Sequence, residues 1–351
     1  MILRASNPSK VVELPGDDPG FDRLLRRHPM ARAIVPAWEE LAGWTNLNLA
    51  LLGPEGPVAG LILSVQRVPY TAVALSRINA LMVDPADLQA TLTPLLAAVE
   101  GYARRHLILE TEVRVRLPIN PGAPGADGHR AIWEALGHAG YGALQKADTS
   151  YYVPIDRDEE VMITSFDRSA RNKIRKAQRS GAIIEQSKDF SLLDDFYSAY
   201  LDMCSRKQAP VQPETLVGRG LRPLLERGHA LLFVERYEAG ISNLVIVDVL
   251  GTPCYVLGTR TQANVRGQVP GAAQVLQFEI MKHLRGAGHR YYDLGGCEGP
   301  VPIEGHPNFG VWRFKYGFQP EFVRFIPYLR KVRGPFGPAL RLAHQLRGDH
   351  V

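Results

Sequence analysis

The chain has 351 residues, more than a typical single hydrophobic core holds, and its length therefore predicts two domains. Hydrophobic residues make up 45% and charged residues 22%, and no apolar stretch approaches the roughly 18 residues of a membrane-spanning helix. The formal net charge of +5 favours a polyanionic partner. The first residues lack the apolar segment of a secretory signal, so we expect a cytoplasmic protein without stable membrane insertion.

The cysteines and histidines exclude several classes of site. The three cysteines are far apart and form no CxxC, which argues against a disulfide framework and a structural zinc site. The ten histidines show no H-x-x-x-H spacing, and the sequence has no G-x-S-x-G motif. We therefore expect no metal ion, no serine-hydrolase chemistry and no cofactor.

The first half of the sequence predicts strands followed by helices. Residues 48–53 and 58–65 predict two strands joined by a turn at 54–56, and residues 72–81 predict a third. Asp84 opens a predicted helix that ends near His106. A strand over 107–115 and a short helix over 129–136 follow.

The second half repeats this order. Strands over 230–235 and 241–249 are joined by a turn at 238–240, and a third strand covers 254–258. A helix over 271–285, a strand over 291–294 and a short helix leading into 314–318 complete the second copy.

Strands interleaved with helices predict layered α/β domains. The repeated order resembles the GNAT fold of acyl-CoA N-acyltransferases. We therefore predict an α/β protein with tandem GNAT-like modules, in which mixed central sheets are flanked by helices. The first module is predicted over residues 1–150 and the second over 151–351.

Two segments of the second module are basic. Residues 164–181 predict a helix with a glycine stop. The tail from Arg324 onward is also basic, and apolar residues at helical spacing over 329–346 predict a basic C-terminal helix. The first helix is either a solvated basic helix or a contact for a phosphate backbone. Its cations are Arg168, Arg171, Lys173, Arg175, Lys176 and Arg179.

Two further segments lie near the end of the second module. One is the strand end Tyr-Asp-Leu-Gly-Gly at 292–296, and the other is Arg-Phe-Lys-Tyr-Gly-Phe at 313–318. Glycines at a strand end let a ligand or another backbone approach closely. A lysine just past them is placed to reach a polar group held there.

The basic helix and these two segments together resemble the FemABX family of aminoacyl and peptidyl transferases. Members show an RN-x-x-(R/K)-K-A-x-x-x-G helix, a YDLGG strand end and an RFKxGF segment in that order. Here these motifs occupy residues 171–181, 292–296 and 313–318. No long heptad segment is present, so the chain resembles the arm-less, FemX-like type.

The resemblance implies a role for the residues around the last two motifs. The donor is an activated aminoacyl ester, and the tetrahedral intermediate formed when an amine attacks it must be stabilised. Lys315 is expected to supply the cation and Phe314 to shape the site, while Asp293 is either a general base or a turn former. The expected substrate-binding residues are Tyr255, Arg206, Gly295, Gly296 and Arg313.

The resemblance also implies the partners. The donor is an aminoacyl-tRNA bound by the basic helix, and the acceptor is a small molecule or peptide that bears an amine. Trp38 is followed by no lysine, the places of a family arginine and tyrosine hold Gln212 and Leu216, and residues 75–81 lack the family's RGP. Loss of these groups weakens binding of a doubly charged diphosphate. We therefore expect a small natural-product intermediate as the acceptor.

Three alternatives stay open. The first is a peptidoglycan interpeptide-bridge aminoacyltransferase that acts on a muramyl-peptide precursor. The second is an acyl-CoA-dependent GNAT N-acyltransferase with a pyrophosphate turn at 266–271, where Pro270 removes one N–H donor. The third is a non-catalytic module that binds tRNA or a peptide.

Overall fold

The computed structural model describes residues 10–28, 31–32, 34–120, 125–237, 240–261 and 272–334. They form two compact units. The first contains the described residues up to Asp148 and those from Arg324 onward, and the second is Thr149–Val323. The predicted modules placed everything after residue 150 in the second one. The described residues from Arg324 onward lie instead in the first unit, because Leu329–Val332 pair there with a strand of its sheet.

The first unit has strands and helices in the predicted order. Its elements are β1 (Val11–Leu14), α1 (Pro19–Arg27), α2 (Ile34–Leu41), β2 (Thr45–Gly53), β3 (Gly56–Arg67), β4 (Ala74–Met82), α3 (Leu88–Arg105), β5 (Ile108–Val113), α4 (Ala126–His138), the first part of β6 (Gly142–Pro154) and most of β12 (Glu321–Val332). Asp87 caps α3 by accepting a hydrogen bond from the Ala90 amide at 3.1 Å, which explains why that helix begins where it does.

The sheet of the first unit has one apolar and one polar face. Its strands follow the order β1-β2-β3-β4-β5-β12. Apolar residues in register across five strands belong to a core that also contains buried leucines of α3 and α4. They are Leu47, Leu63, Ile78, Val113 and Leu329. Because side chains alternate along a strand, the residues one position earlier or later lie on the other face.

That other face carries a polar row across the same five strands. Asn46 pairs with Ser64, Ser64 with Arg77, Arg77 with Glu112 and Glu112 with Arg330. Glu112 Oε1 lies 2.6 Å from Arg330 Nη2, and Glu112 Oε2 lies 3.7 Å from Arg77 Nε. The row therefore balances its two arginines with a shared carboxylate.

The second unit repeats the pattern. Its elements are the end of β6, α5 (Glu159–Ser165), α6 (Arg168–Arg179), β7 (Ile183–Ser187), α7 (Leu192–Lys207), a 3₁₀ turn (Arg219–Leu221), α8 (Arg222–Glu226), β8 (Ala230–Tyr237), β9 (Gly240–Asp248), β10 (Cys254–Arg260), α9 (Ala272–Gly286), β11 (Tyr291–Gly296) and α10 (Phe309–Tyr316). The strand order is β6-β11-β10-β9-β8-β7. A second core joins residues of α5, α6 and α9 to the sheet.

The two units differ at their single parallel strand pair. In the first unit β4 and β5 pair from Ala74 with Ile108 to Ile78 with Val113. In the second unit β10 and β11 pair only at Cys254 and Asp293. The ladder between the two strands ends at that pair, and we call this place the strand opening.

The predicted fold class is confirmed, with mixed sheets, flanking helices and the GNAT-like order. The single helix predicted over 164–181 is two helices, because Phe166 is buried and Asp167 caps α6 through the Ala170 amide at 2.6 Å. The predicted C-terminal helix is a strand as far as Val332, and residues 335–351 lie outside the described part. Among the described residues, no helix is both long and apolar enough to cross a membrane.

Candidate functional site

A cavity of about 510 Å³ lies beside the strand opening of the second unit. Its walls are formed by β9, β10, α7, α9 and α10. The described lining residues include four cations and no carboxylate. The cations are Arg206, Lys207, Arg260 and Lys315. Because charges of one sign in a cleft attract the opposite charge, the cavity is suited to an anionic ligand.

Lys315 lies on α10 and is 8% exposed. Its Nζ donates a hydrogen bond to the Gly296 carbonyl oxygen at 2.8 Å. Gly295 has a φ of +80°, and a Cβ there would lie 3.5 Å from Lys315 Nζ and 3.4 Å from the Tyr255 carbonyl oxygen. Glycine at this position therefore permits the backbone turn that brings the ammonium group to the end of β11.

Asp293 lies on β11 and has no exposed surface. Its Oδ1 accepts hydrogen bonds from the Ser150 hydroxyl and from the Gly295 amide, the latter at 2.7 Å. The carboxylate does not line the cavity. Of the two interpretations of Asp293, these contacts match the turn former, because they fix the bend that precedes Gly296.

Phe314 and Tyr255 form part of the cavity wall near Lys315. The Phe314 ring contacts Phe318 edge to face, with ring centroids 5.5 Å apart. Burial raises the pKa of Tyr255 to about 12, so its phenol is protonated at neutral pH. The Tyr255 hydroxyl lies against the Cα of Gly258, where a larger residue would displace it.

The remaining predicted substrate-binding residues have different positions. Arg206, in the last turn of α7, is exposed and lines the cavity. Arg313 is exposed, lies over the Phe309 ring at 5.8 Å and does not line the cavity. The structure thus brings Arg206, Tyr255, Phe314 and Lys315 to one cavity and leaves Arg313 outside it.

Several residues of the cavity were not predicted. Of these, Lys207 could have been found from the sequence, because it directly follows the predicted Arg206. Arg260 ends β10, and its place in the cavity depends on its register beside Asn243. Gln277 lines the cavity from α9. Arg260 and Gln277 could not be found from local sequence patterns, because the packing of α7 and α9 around β10 decides which residues of these elements face the cavity.

The basic helix α6 is amphipathic. Ala170, Ile174 and Ala177 are buried, at a spacing that places them on one face. Arg171 is half-buried and donates to the Thr164 carbonyl oxygen at 2.7 Å. The other predicted cations are exposed, namely Arg168, Lys173, Arg175, Lys176 and Arg179. The helix therefore presents a broad cationic surface to solvent.

The start of α6 is joined to the end of α10. The Asp167 amide donates to the Gly317 carbonyl oxygen at 2.9 Å, and the Phe166 and Phe318 rings meet edge to face at 5.2 Å. A Cβ on Gly317 would lie 3.4 Å from Asp167 Oδ2 and 3.5 Å from Ala170 Cβ. The start of the helix that carries the first sequence motif is thus in direct contact with the third motif.

The chain is similar to known proteins in sequence and in fold. No family model matches the chain. It is 21% identical to the lipid II:glycine glycyltransferase of Staphylococcus aureus, in an alignment covering 84% of this chain and 86% of that protein. The crystal structure of FemX superposes with a TM-score of 0.80 at 16% identity and covers 95% of this chain and 99% of its own.

A tandem GNAT protein from the clavulanic acid biosynthesis pathway superposes with a TM-score of 0.50 at 14% identity, covering 93% of this chain and 99% of its own. The resemblance to FemABX proteins that the three motifs indicated is confirmed by the glycyltransferase and FemX comparisons. The sequence relative acts on lipid II. It therefore favours the cell-wall alternative over the small natural-product acceptor that we expected.

Proposed function

We propose that this chain, which resembles the FemABX proteins in sequence and in fold, is an aminoacyltransferase that moves an aminoacyl group from an aminoacyl-tRNA to an amine and so forms an amide. One observation carries the proposal. The ammonium group of Lys315 is held at the end of β11, 2.8 Å from the Gly296 carbonyl oxygen, beside a cavity whose described lining has cations and no carboxylate.

The reaction follows from this placement. The acceptor amine attacks the ester carbonyl, a C–N bond forms and the C–O bond to the ribose breaks. The amine loses a proton, and the departing ribose oxygen gains one. Negative charge develops on the carbonyl oxygen in between, and the fixed ammonium of Lys315 stabilises it. Asp293 is committed to backbone and hydroxyl contacts, so the mechanism assigns it no proton transfer.

The cations of the second unit are suited to the donor. Arg206, Lys207 and Arg260 line the cavity, where the phosphates next to the aminoacylated end of a tRNA would lie. The exposed cations of α6 contact the backbone further from that end. Such contacts carry no sequence information, so one enzyme accepts tRNAs that share an amino acid.

The acceptor that we propose is a muramyl-peptide precursor of peptidoglycan with a free amine. The similarity to a lipid II:glycine glycyltransferase supports this choice. Three half-buried arginines, Arg77, Arg114 and Arg116, lie on or beside the polar row of the first unit, and each is paired with a carboxylate. Arg77 also lies 4.1 Å over the Trp44 ring.

The proposal is tested by transfer from radiolabelled aminoacyl-tRNAs. Purified protein is mixed with the charged tRNAs and either a nucleotide-linked muramyl pentapeptide or a set of small amines. Lys315→Ala should lower kcat about 10²- to 10³-fold, as loss of one donor to a developing oxyanion does. Lys282→Ala is the matched control, because Lys282 lies on α9 in ion pairs with Glu159 and Glu279.

Each result has a defined meaning. RNase-sensitive transfer to the muramyl peptide, lost in Lys315→Ala and kept in Lys282→Ala, supports the proposal. Transfer to small amines alone would instead support a small natural-product intermediate as the acceptor. Thiol release from acetyl-CoA without any transfer from tRNA would replace the proposal with an acyl-CoA-dependent N-acyltransferase.

A further inference from the structure

Two buried polar side chains line the cavity and have unused hydrogen-bonding groups. Gln277 on α9 and Thr259 on β10 are each 2% exposed. Within the described part of the chain, Thr259 Oγ1 has no hydrogen-bond partner, and the side chain of Gln277 forms one hydrogen bond. Buried polar groups in folded proteins nearly always have partners. We therefore expect atoms of a ligand to supply the missing hydrogen-bond partners of both residues.

The orientation of the Gln277 amide is set by Tyr292. The Tyr292 hydroxyl donates to Gln277 Oε1 at 2.8 Å. Tyr292 has no exposed surface, and burial raises its pKa well above the ordinary value, so the phenol keeps its proton and needs an acceptor. The amide oxygen therefore faces Tyr292, and the NH₂ group, with two hydrogens to donate, faces the other way.

Gln277, Thr259 and Lys315 line the same cavity. A carbonyl group held at Lys315 therefore leaves the rest of the acyl group in the cavity that Gln277 and Thr259 line.

We propose that Gln277 and Thr259 select the transferred aminoacyl group and favour a side chain that carries a hydroxyl oxygen, of the serine type. The inference rests on the proposed aminoacyl transfer at Lys315. A serine hydroxyl accepts a hydrogen bond from Gln277 Nε2 and donates one to Thr259 Oγ1. Alanine is of nearly the same size but leaves both protein groups without a hydrogen-bond partner. The free-energy cost of these unpaired groups separates seryl from alanyl donors better than a difference in side-chain size does.

Other ligand groups fit these two residues poorly. Adenine is recognised by a glutamine through both its amide oxygen and its amide nitrogen, and the oxygen of Gln277 is turned toward Tyr292. A lysine-type side chain brings an ammonium group that has no acceptor capacity, into a cavity that already holds four cations.

The test compares seryl-, alanyl- and glycyl-tRNA in competition for the wild-type protein and two variants. We expect a preference in kcat/KM of about tenfold or more for seryl over alanyl transfer. The variant Gln277→Met/Tyr292→Phe removes both partners of the internal hydrogen bond, so it leaves neither buried group unpaired. Gln274→Met, one turn earlier on α9 and outside the cavity, is the matched control.

The expected result is that the double variant lowers the ratio of seryl to alanyl kcat/KM to about one, and that Gln274→Met keeps the wild-type ratio. A wild-type preference for alanyl or glycyl transfer overturns the inference. So does an equal loss of seryl and alanyl transfer in the double variant, because Gln277 would then contact a part that all donors share.

A binding measurement separates this inference from the catalytic proposal. The probes are 3′-amide analogues of seryl- and alanyl-adenosine, and the readout is the shift in Tm that each produces. A larger shift with the seryl analogue, lost in the double variant, supports side-chain selection even if no transfer occurs and the catalytic proposal fails. Equal shifts, or none, overturn the inference regardless of transfer.

Discussion

At the scale of single residues, Glu235 is the buried carboxyl group next to the cavity wall. It has no exposed surface, and its Oε2 accepts hydrogen bonds from the Ser242 hydroxyl at 2.7 Å and from the amide of Asn243, which lines the cavity. Its Oε1 has no hydrogen-bond partner within the described residues. Burial raises the pKa of Glu235, and the two hydrogen bonds only partly oppose that effect.

A raised pKa gives Glu235 a defined effect on stability. The folded protein holds this proton more tightly than the unfolded chain does, so the contribution is full below the ordinary glutamate pKa. It is lost as the pH rises through the raised value. Glu235→Gln keeps an acceptor oxygen for Ser242 and Asn243 and cannot ionise. We expect it to raise the urea midpoint relative to wild type at pH 8.5, and to raise it less at pH 5.

The matched control for Glu235 is Glu185→Gln, because Glu185 is an exposed carboxyl on the neighbouring strand β7, paired with Arg236 at 2.9 Å. Its substitution should not reproduce the gain at alkaline pH. Equal midpoint differences at both pH values for Glu235→Gln would show that Glu235 does not titrate differently in the folded and unfolded states.

At the scale of elements, α6 is the surface whose contribution is easiest to isolate. Its exposed cations lie opposite the buried Ala170, Ile174 and Ala177, so substituting them leaves the packed face intact. Each phosphate that a cation neutralises releases counterions, which makes binding depend on salt. The change in the slope of log K against log salt therefore measures how many phosphate contacts a variant loses.

We expect Lys173→Gln/Lys176→Gln to weaken tRNA binding and to lower the slope of log K against log salt by about 1.5 to 2, because two phosphate contacts are lost. The measurement is filter binding of tRNA over a series of salt concentrations. Lys188→Gln is the control, since Lys188 is exposed but lies after β7 and outside α6. An unchanged slope in the double variant would remove α6 from the tRNA contact.

The elements also show how far the sequence predicts the structure. Strands β2 to β4 and β8 to β10 were predicted because alternating apolar residues and turns mark them locally. The end of β12 was predicted as a helix. Its charged residues find their partners on β5, where Arg330 lies 2.6 Å from Glu112 and 3.3 Å from Glu110. Such pairing joins residues far apart in the chain, and no local period reports it.

The candidate site divides in the same way. Short sequence motifs contain Lys315, Phe314 and Gly295, so these residues can be identified from their neighbours in the sequence. Arg260 and Gln277 reach the cavity through strand register and through the packing of α9, and a single sequence carries no local trace of either.

At the scale of the whole molecule, each unit has its own core, and the first unit adds a buried ionic row to it. Glu112 is the centre of that row, with a side chain 7% exposed and 2.5 Å from Arg114 Nη2. Burial by itself would raise the pKa of Glu112, but Arg114 and Arg330 lower it below the ordinary value. Its charge is therefore held by several partners at once.

Removal of that shared charge should destabilise the first unit strongly. We expect Glu112→Ala to cost about 1–3 kcal/mol of unfolding free energy, because Arg114 loses its close carboxylate partner, while Arg77 keeps Glu39 and Arg330 keeps Glu110. Hydrogen exchange should show the largest loss of protection in β4 and β5. Glu40→Ala, an exposed acid at the end of α2, is the control. A loss below about 1 kcal/mol would mean that solvent replaces Glu112.

The unequal parallel pairs of the two units bear on how a duplicated module diverges. In the second unit the ladder consists of a single pair at Cys254 and Asp293, whereas in the first it continues from Ala74 to Ile78. Closing a gap of this kind takes a few backbone hydrogen bonds, but reopening it requires breaking all of them together. Directed evolution for a second donor pocket in the first unit would thus fail by side-chain exchange alone and would need insertions that bend β4 away from β5.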